Sequence, residues 1–231
     1  MFSSSHFSEK LDKVRSRVAA ACASCGRPVE GVTILPVTKN HPVAAVERAV
    51  EAGLSRVGEN RVQEALEKLD SLPADYAAFE LIGHLQSNKV KVAAAKFARV
   101  QTVDSEKLLR RLAEGAEASE RILPILLQVN AGEDPAKYGV TCDACPALLE
   151  TALSLPALNV EGLMTIAPLE DDPEVARQAF ARLRETHDRL REQFAVDLPE
   201  LSMGMTGDLE AAIAEGSTMI RVGTALFGER A

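Results

Sequence analysis

Two hydrophobic rhythms alternate along this chain. Runs of four to six mostly apolar residues end in polar or glycine-containing loops, and stretches with apolar residues at steps of three and four follow them. One helical stretch comes before any strand: residues 8–23 put Leu11, Val14, Val18 and Cys22 on one face. Gly26, Pro28 and Gly31 then break it. Residues 32–37 read as the first strand, and Pro42 opens a helix with Val43, Val46 and Val50 on one face, closed at Gly53. The next three units repeat the pattern. A strand at 55–58 precedes a helix carrying Val62, Leu66 and Leu69. A strand at 79–82 precedes the polar run 83–88 and a helix over 89–96 that Ser87 is placed to cap. A strand at 99–103 precedes a helix with Leu108, Leu109 and Leu112, capped by Asp104 or Ser105.

The fifth strand, 125–129, is the most apolar, and a Gly/Asp/Pro-rich loop to Gly139 leads to a helix around 148–153. Strand six, 160–165, runs through Pro168 and an acidic loop into the longest helix, 173–194. That helix carries Phe180, Leu183, His187 and Leu190 on its apolar face, so His187 reads as a packing residue. Two short units close the chain: 201–204 with a helix that Asp208 caps, and 218–223 with a helix to 228. Eight strand–helix units after an extra N-terminal helix predict an α/β fold, a single (β/α)8 TIM-type barrel. Residues 1–31 are the helix and lead-in and 32–228 the barrel, within one domain over 1–231. A doubly wound open sheet is the alternative, but no G-x-G-x-x-G follows any strand.

Composition narrows the function classes. With 46% hydrophobic and 26% charged residues in 231, the chain is that of a globular protein with an aliphatic core. A formal charge of -8 argues against general nucleic-acid or membrane-surface binding, which need a basic face. No long apolar span or signal-like N-terminus is read, so a cytoplasmic location is expected. Cys22/Cys25 and Cys142/Cys145 form two C-x-x-C pairs, too far apart for a zinc ribbon. Packing and capping explain them better than a metal, although a thiol at the second pair, beside Pro146 at a helix start, would have some reactivity.

In such a barrel the C-terminal strand tips share one mouth, where ligands sit. That brings together Lys39, Asn60, His84, Met164, Ser202, Arg221, Gly223 and Thr224. Lys39, alone at the tip of the first strand, can serve as a salt-bridge partner, a phosphate ligand or, if desolvated, an amine nucleophile toward aldehydes. The last two tips supply hydroxyls and glycines suited to an anion, so a phosphorylated carbonyl compound fits both halves. Taken singly, the same residues can be turn glycines, a capping Ser202 and an Arg221 paired with an acidic neighbour. Lys89 and Lys91 are too few for an RNA-binding patch.

Several motifs in order resemble one family: Pro36-Val37-Thr38-Lys39, Gly58-Glu59-Asn60-Arg61-Val62-Gln63-Glu64, Ile82-Gly83-His84-Leu85-Gln86-Ser87-Asn88-Lys89, Glu161-Gly162-Leu163-Met164-Thr165, Leu201-Ser202-Met203-Gly204-Met205 and Ser217-Thr218-Met219-Ile220-Arg221-Val222-Gly223-Thr224. They are similar to the pyridoxal phosphate homeostasis proteins, barrels like the N-terminal domain of alanine racemase. The resemblance implies that pyridoxal 5'-phosphate is held as a Schiff base on Lys39. It also implies that Ser202, Gly223 and Thr224 hold the phosphate, that Arg221 lies near the pyridine nitrogen, and that Asn60, His84, Met164 and Met203 line the pocket. It implies a carrier or buffer of the cofactor supporting vitamin B6 and amino-acid homeostasis, with no metal and no catalytic residue. Its partners would be the cofactor and apo enzymes that use it, and it would be a monomer, with a dimer as the alternative. Thr38 and Asn40 flank Lys39 where serine and threonine are more usual, and Thr206 replaces a more usual serine. A cation beside the pyridine nitrogen would disfavour the proton that makes the ring an electron sink. A racemase-like enzyme is the competing reading. It would need an acid/base group such as Tyr138, since the expected chain lacks the racemase's second domain.

Overall fold

The computed structural model describes residues 4–170 and 172–228. Eight strands alternate with helices: β1 (Thr33–Pro36), β2 (Arg56–Glu59), β3 (Ala78–Leu81), β4 (Arg99–Val103), β5 (Leu123–Gln128), β6 (Leu158–Met164), β7 (Glu200–Ser202) and β8 (Met219–Val222). All pair in parallel, in the order β1-β8-β7-β6-β5-β4-β3-β2. A bridge from Val37 to Gly58, with Thr38 N–H donating to the Gly58 carbonyl at 3.1 Å, joins β1 to β2 and closes the ring. The helices are α1 (Ser4–Cys25), α2 (Val43–Glu51), α3 (Val62–Asp70), α4 (Val90–Lys96), α5 (Glu106–Glu117), α6 (Cys145–Leu153), α7 (Pro173–Phe194), α8 (Leu209–Ala214) and α9 (Thr224–Phe227). This is the (β/α)8 barrel with its extra N-terminal helix.

Strand alternation divides the buried side chains into two shells. Phe79, Leu81, Ile125, Leu127, Leu201, Ile220 and Val222 point outward into the core beneath the helices, together with Val46, Leu112, Phe180 and Leu183. The inner apolar cluster is small: Leu35, Val37, Ile82 and Met219. Much of the barrel's interior is polar instead, with Glu80, Arg99, Gln101, Ser202 and Arg221 buried. α1 lies against α8 and α9. Phe7 packs on Phe227 with ring centroids 5.4 Å apart, Arg17 pairs with Glu210 at 2.7 Å, and Arg27 donates to the carbonyls of Ile213 and Ser217.

Local details depart from expectation at two caps and one thiol. Ser87 does not cap α4; it starts a short 3-10 turn, and no side chain caps either segment. Ser105 rather than Asp104 caps α5, accepting from Leu108 N–H. Asp208 precedes α8, yet its carboxylate accepts from the Met205 N–H instead of a helix amide. Cys145 is fully buried, which pushes its thiol up to about 12 and leaves it unreactive. His187 is buried as expected, its Nε2 2.7 Å from the Leu198 carbonyl.

Gly83 fixes how closely the tips of β2 and β3 approach. A Cβ there would lie 2.2 Å from the Asn60 carbonyl oxygen, a backbone atom that cannot swing aside. Gly83→Ala is expected to cost about 1–3 kcal/mol through overpacking. It should also part Asn60 from His84. Thermal unfolding measures the first effect, and an unchanged midpoint would show that the two tips separate freely.

Candidate functional site

Lys39 stands on a loop whose backbone is tied down from below. The Thr38 hydroxyl donates to Glu59 Oε1 at 2.5 Å, and Lys68 Nζ, from α3, donates to that same oxygen at 2.6 Å and to the Thr38 carbonyl at 2.8 Å. Lys68 also reaches Glu64 at 2.9 Å, and Glu64 accepts the Asn40 N–H. Asn40 holds a left-handed φ of 60°, which asparagine tolerates better than most residues. Thr38 and Glu59 are fully buried and Lys68 nearly so, so this is an interior ion cluster rather than a surface pair. Burial pushes the Glu59 carboxyl up, outweighing the hydrogen bonds from Lys68 and Thr38 that pull it down. Its Oε2 is buried with no hydrogen-bond partner. None of these supports was singled out from sequence. The i, i+4 spacing of Glu64 and Lys68 was the available signal, and it normally marks an exposed pair.

Asn60 and Arg61 line both of two adjoining hollows. One, of about 150 Å³, has Lys39, Asn40 and Glu64 on its other wall. The other, of about 390 Å³, is bounded by Gly83, His84, Gln86 and Lys89. Asn60 Oδ1 is buried without a partner. His84 is exposed and stacks on Tyr138, with centroids 4.2 Å apart and planes 14° from parallel. Asp104, at the tip of β4, is raised by burial and partly drawn back by His84.

On β8, the neighbour of β1, Arg221 is buried to 4% exposure, and burial pulls its guanidinium down to about 10, still cationic at neutral pH. No carboxylate bonds it among the described residues. Its Nη1 donates to Ser202 Oγ at 2.8 Å and its Nη2 to the Thr165 carbonyl at 2.7 Å. Asp208 is an acidic neighbour that favours the Arg221 charge, while the hydrogen bonds of Arg221 go to two neutral oxygens. Ser202 is fully buried beneath Arg221 rather than open at the mouth. Met164 is buried at the tip of β6, and the Met203 side chain belongs to the outer core, so only the backbone of Met203 lies toward the barrel end. Gly223 is half-buried, 3.4 Å from the Val37 carbonyl at the position a Cβ would take, and Thr224 is exposed. The tips thus bring together an amine, a buried cation and small or hydroxyl groups. Among the described residues no cluster of three potential metal ligands exists.

A barrel with a lysine on the first strand and a buried arginine on the last defines a class, and comparison with known proteins gives the family. The alanine racemase N-terminal domain family matches residues 10–231. The pyridoxal phosphate homeostasis protein of Pseudomonas aeruginosa is 42% identical over 226 residues, 98% of this chain and 96% of that one. Its counterpart from Aquifex aeolicus is 39% identical over 222 residues, covering 96% and 97%. PipY of Synechococcus elongatus, solved with PLP bound, superposes with a TM-score of 0.80 at 39% identity, covering 91% of this chain and 100% of that one. The chain belongs to the pyridoxal phosphate homeostasis protein family.

The ion cluster under Lys39 makes a testable demand. Lys68→Met leaves Glu59 buried without its cation, and at neutral pH about 3–5 kcal/mol of stability should go. Because Glu59 is raised above its unfolded value, the folded protein takes up that proton first as pH falls. Falling pH between the folded and unfolded pKa values therefore adds stability from this group. The deficit of the variant should shrink toward acid in thermal unfolding. A deficit constant with pH would mean that Glu59 does not depend on Lys68.

Proposed function

We propose that this chain binds pyridoxal 5'-phosphate at the barrel mouth with Lys39 as its anchor, and carries or buffers the cofactor for vitamin B6 and amino-acid homeostasis. The observation that carries the reading is the buried Arg221 cation with no carboxylate bonded to it, on the strand next to the one that leads to a braced Lys39. Family membership and the PLP-bound relative support it. The residues suit the group: a buried guanidinium with neutral partners gains from an anionic ligand nearby, and Asn60 Oδ1 lacks a donor. The cofactor would supply an aldehyde for the Lys39 amine to capture with loss of water.

Each side chain then has a part. Gly223 leaves its amide approachable, and Thr224 offers an exposed hydroxyl for the phosphate. Ser202 contributes by holding Arg221 near the pyridine nitrogen. Asn60, His84, Met164 and the Met203 backbone complete the walls. A cationic Arg221 discourages a proton on that nitrogen, so the site favours retention of the cofactor over chemistry on amino acids. Acceptors would be apo enzymes in the cytoplasm. One observation favours a second reading, a racemase-like activity: Tyr138 stacks on His84, close enough to the mouth to exchange a proton there. Chiral analysis after incubation with L-alanine separates the two, and turnover well above that of free cofactor would overturn the carrier reading.

The purified protein should show a visible absorbance band with pyridoxal phosphate, and borohydride reduction followed by peptide mass mapping should place the label on Lys39. Lys39→Ala should lose both. Saturation at a hundred times Kd should stabilise the wild type by about 2.7 kcal/mol. A colourless protein whose unfolding midpoint ignores the cofactor would sink the proposal.

A further inference from the structure

The interior of the barrel holds a one-way chain of hydrogen bonds that ends on Arg221. Arg221 has only N–H groups to offer, so in its 2.8 Å contact Ser202 Oγ must accept. The single Ser202 proton then goes to Gln101 Oε1 at 2.6 Å. Gln101 turns its oxygen to Ser202 because its Nε2 is claimed on the far side by Glu80 Oε2 at 2.6 Å and Met219 Sδ at 3.3 Å. Flipping the amide would set its oxygen against a carboxylate and its N–H₂ against a hydroxyl whose lone pairs Arg221 needs. Glu80 Oε2 also accepts from Arg99 Nε at 2.8 Å, and Arg56 Nε forms an ion pair with Glu80 Oε1 at 2.5 Å. Arg99 goes on to Glu161 at 2.9 Å and Glu200 at 3.3 Å. From Arg221 Nη1 the donors run through Ser202 and Gln101 and end on Glu80.

We propose that Gln101, on β4 in the barrel interior, is a positioning residue for the mouth: with its amide locked by Glu80, it orients the Ser202 hydroxyl so that the Arg221 guanidinium is held in one rotamer, ready for the ligand. The ligand itself rests on the pyridoxal phosphate reading of the site, whereas the order imposed on Arg221 does not. Gln101 is fully buried, so it acts on any ligand only through Ser202 and Arg221.

Two measurements separate the two claims. In the ligand-free protein, 15N-detected NMR of the arginine side chains should show slow rotation at Arg221 in the wild type and averaged Nη signals in Gln101→Met, which keeps the length and loses the amide. Unchanged Arg221 signals would overturn the proposal, whatever the ligand. In cofactor titrations followed by the visible band, Gln101→Met and Ser202→Ala should each weaken pyridoxal phosphate about tenfold, the scale of one hydrogen bond to a charged group. The double variant should be no weaker than the worse single one, because both act through one path. Additive losses would overturn the path through Ser202. Should Gln101→Met fail to fold, Gln101→Glu serves. Its protonated acid can accept from Ser202 and donate to Glu80, so its affinity relative to wild type should recover as pH falls, and a flat ratio would overturn the proposal. If Lys39→Ala binds pyridoxal phosphate as well as wild type, the site reading fails while the NMR result still stands or falls by itself.

Discussion

The distribution of charge inside the barrel sets the terms for the rest of the structure. Three guanidiniums, Arg56, Arg99 and Arg221, and three carboxylates, Glu80, Glu161 and Glu200, share the interior or its lower rim. They are not evenly spread. All three carboxylates contact Arg99 or Arg56, so the lower half holds three negative groups against two positive ones, and the upper half holds Arg221 with neutral partners. Burial raises Glu200, a carboxyl in the half where negative charge is in excess, while Glu80 and Glu200 outweigh burial to hold Arg99 above its usual value. A barrel filled with aliphatic side chains would be easier to build. This one leaves a buried positive charge at the mouth with no bonded carboxylate among the described residues, its charge favoured by the nearby Asp208.

A second interior cluster, separate from the first, braces the loop after β1, beside the strand that carries Arg221. Lys68, Glu59 and Glu64 bind the Thr38 carbonyl, the Thr38 hydroxyl and the Asn40 amide, the residues on either side of Lys39. The loop is therefore held by its backbone on either side of Lys39. Such bracing reduces the ordering that binding would otherwise have to impose. Gly83 completes this side by letting the tips of β2 and β3 touch. Val37, two residues before Lys39, donates its N–H to the Val222 carbonyl at 2.9 Å, so the lysine loop is tied directly to the strand that carries Arg221.

The architecture was legible because each helix is amphipathic and each strand is short and bounded by turn residues; α7 was read to the residue. The strand-tip residues were legible too, since a barrel places them by position alone. What escaped was the interior. In β4 the alternation of Arg99 and Gln101 with Val100 shows polar groups on the inward face, against the expectation that a barrel is filled by Val, Ile and Leu. Their partners lie on β3, β6, β7 and β8, pairings that no local pattern reveals. Lys68 was hidden for a similar reason: helical spacing puts it beside Glu64, but only the fold brings Glu59 beneath both. Met203 erred the other way, since strand alternation sends it outward although its neighbours face the mouth.

The same geometry bears on why a barrel of this kind would hold a cofactor without using it. Electron-sink chemistry gains from an acidic partner that keeps the pyridine nitrogen protonated. Here the nearest carboxylate along the bonded path from Arg221 is Glu80, reached through Ser202 and Gln101. Each link passes a hydrogen bond toward Glu80 and none back, so the chain stabilises the charged guanidinium and offers no proton at its upper end. His84, Tyr138 and Asp104 supply titratable groups on another part of the rim, but Tyr138 is exposed and tied to β5 only through its backbone carbonyl, which accepts from Gln128. A base that is to move a proton at a fixed atom needs more restraint than a stacked, solvent-facing ring provides. On the proposed reading, the rigid part of this mouth is the part that would bind, and the loosely held part is the one that would have to catalyse.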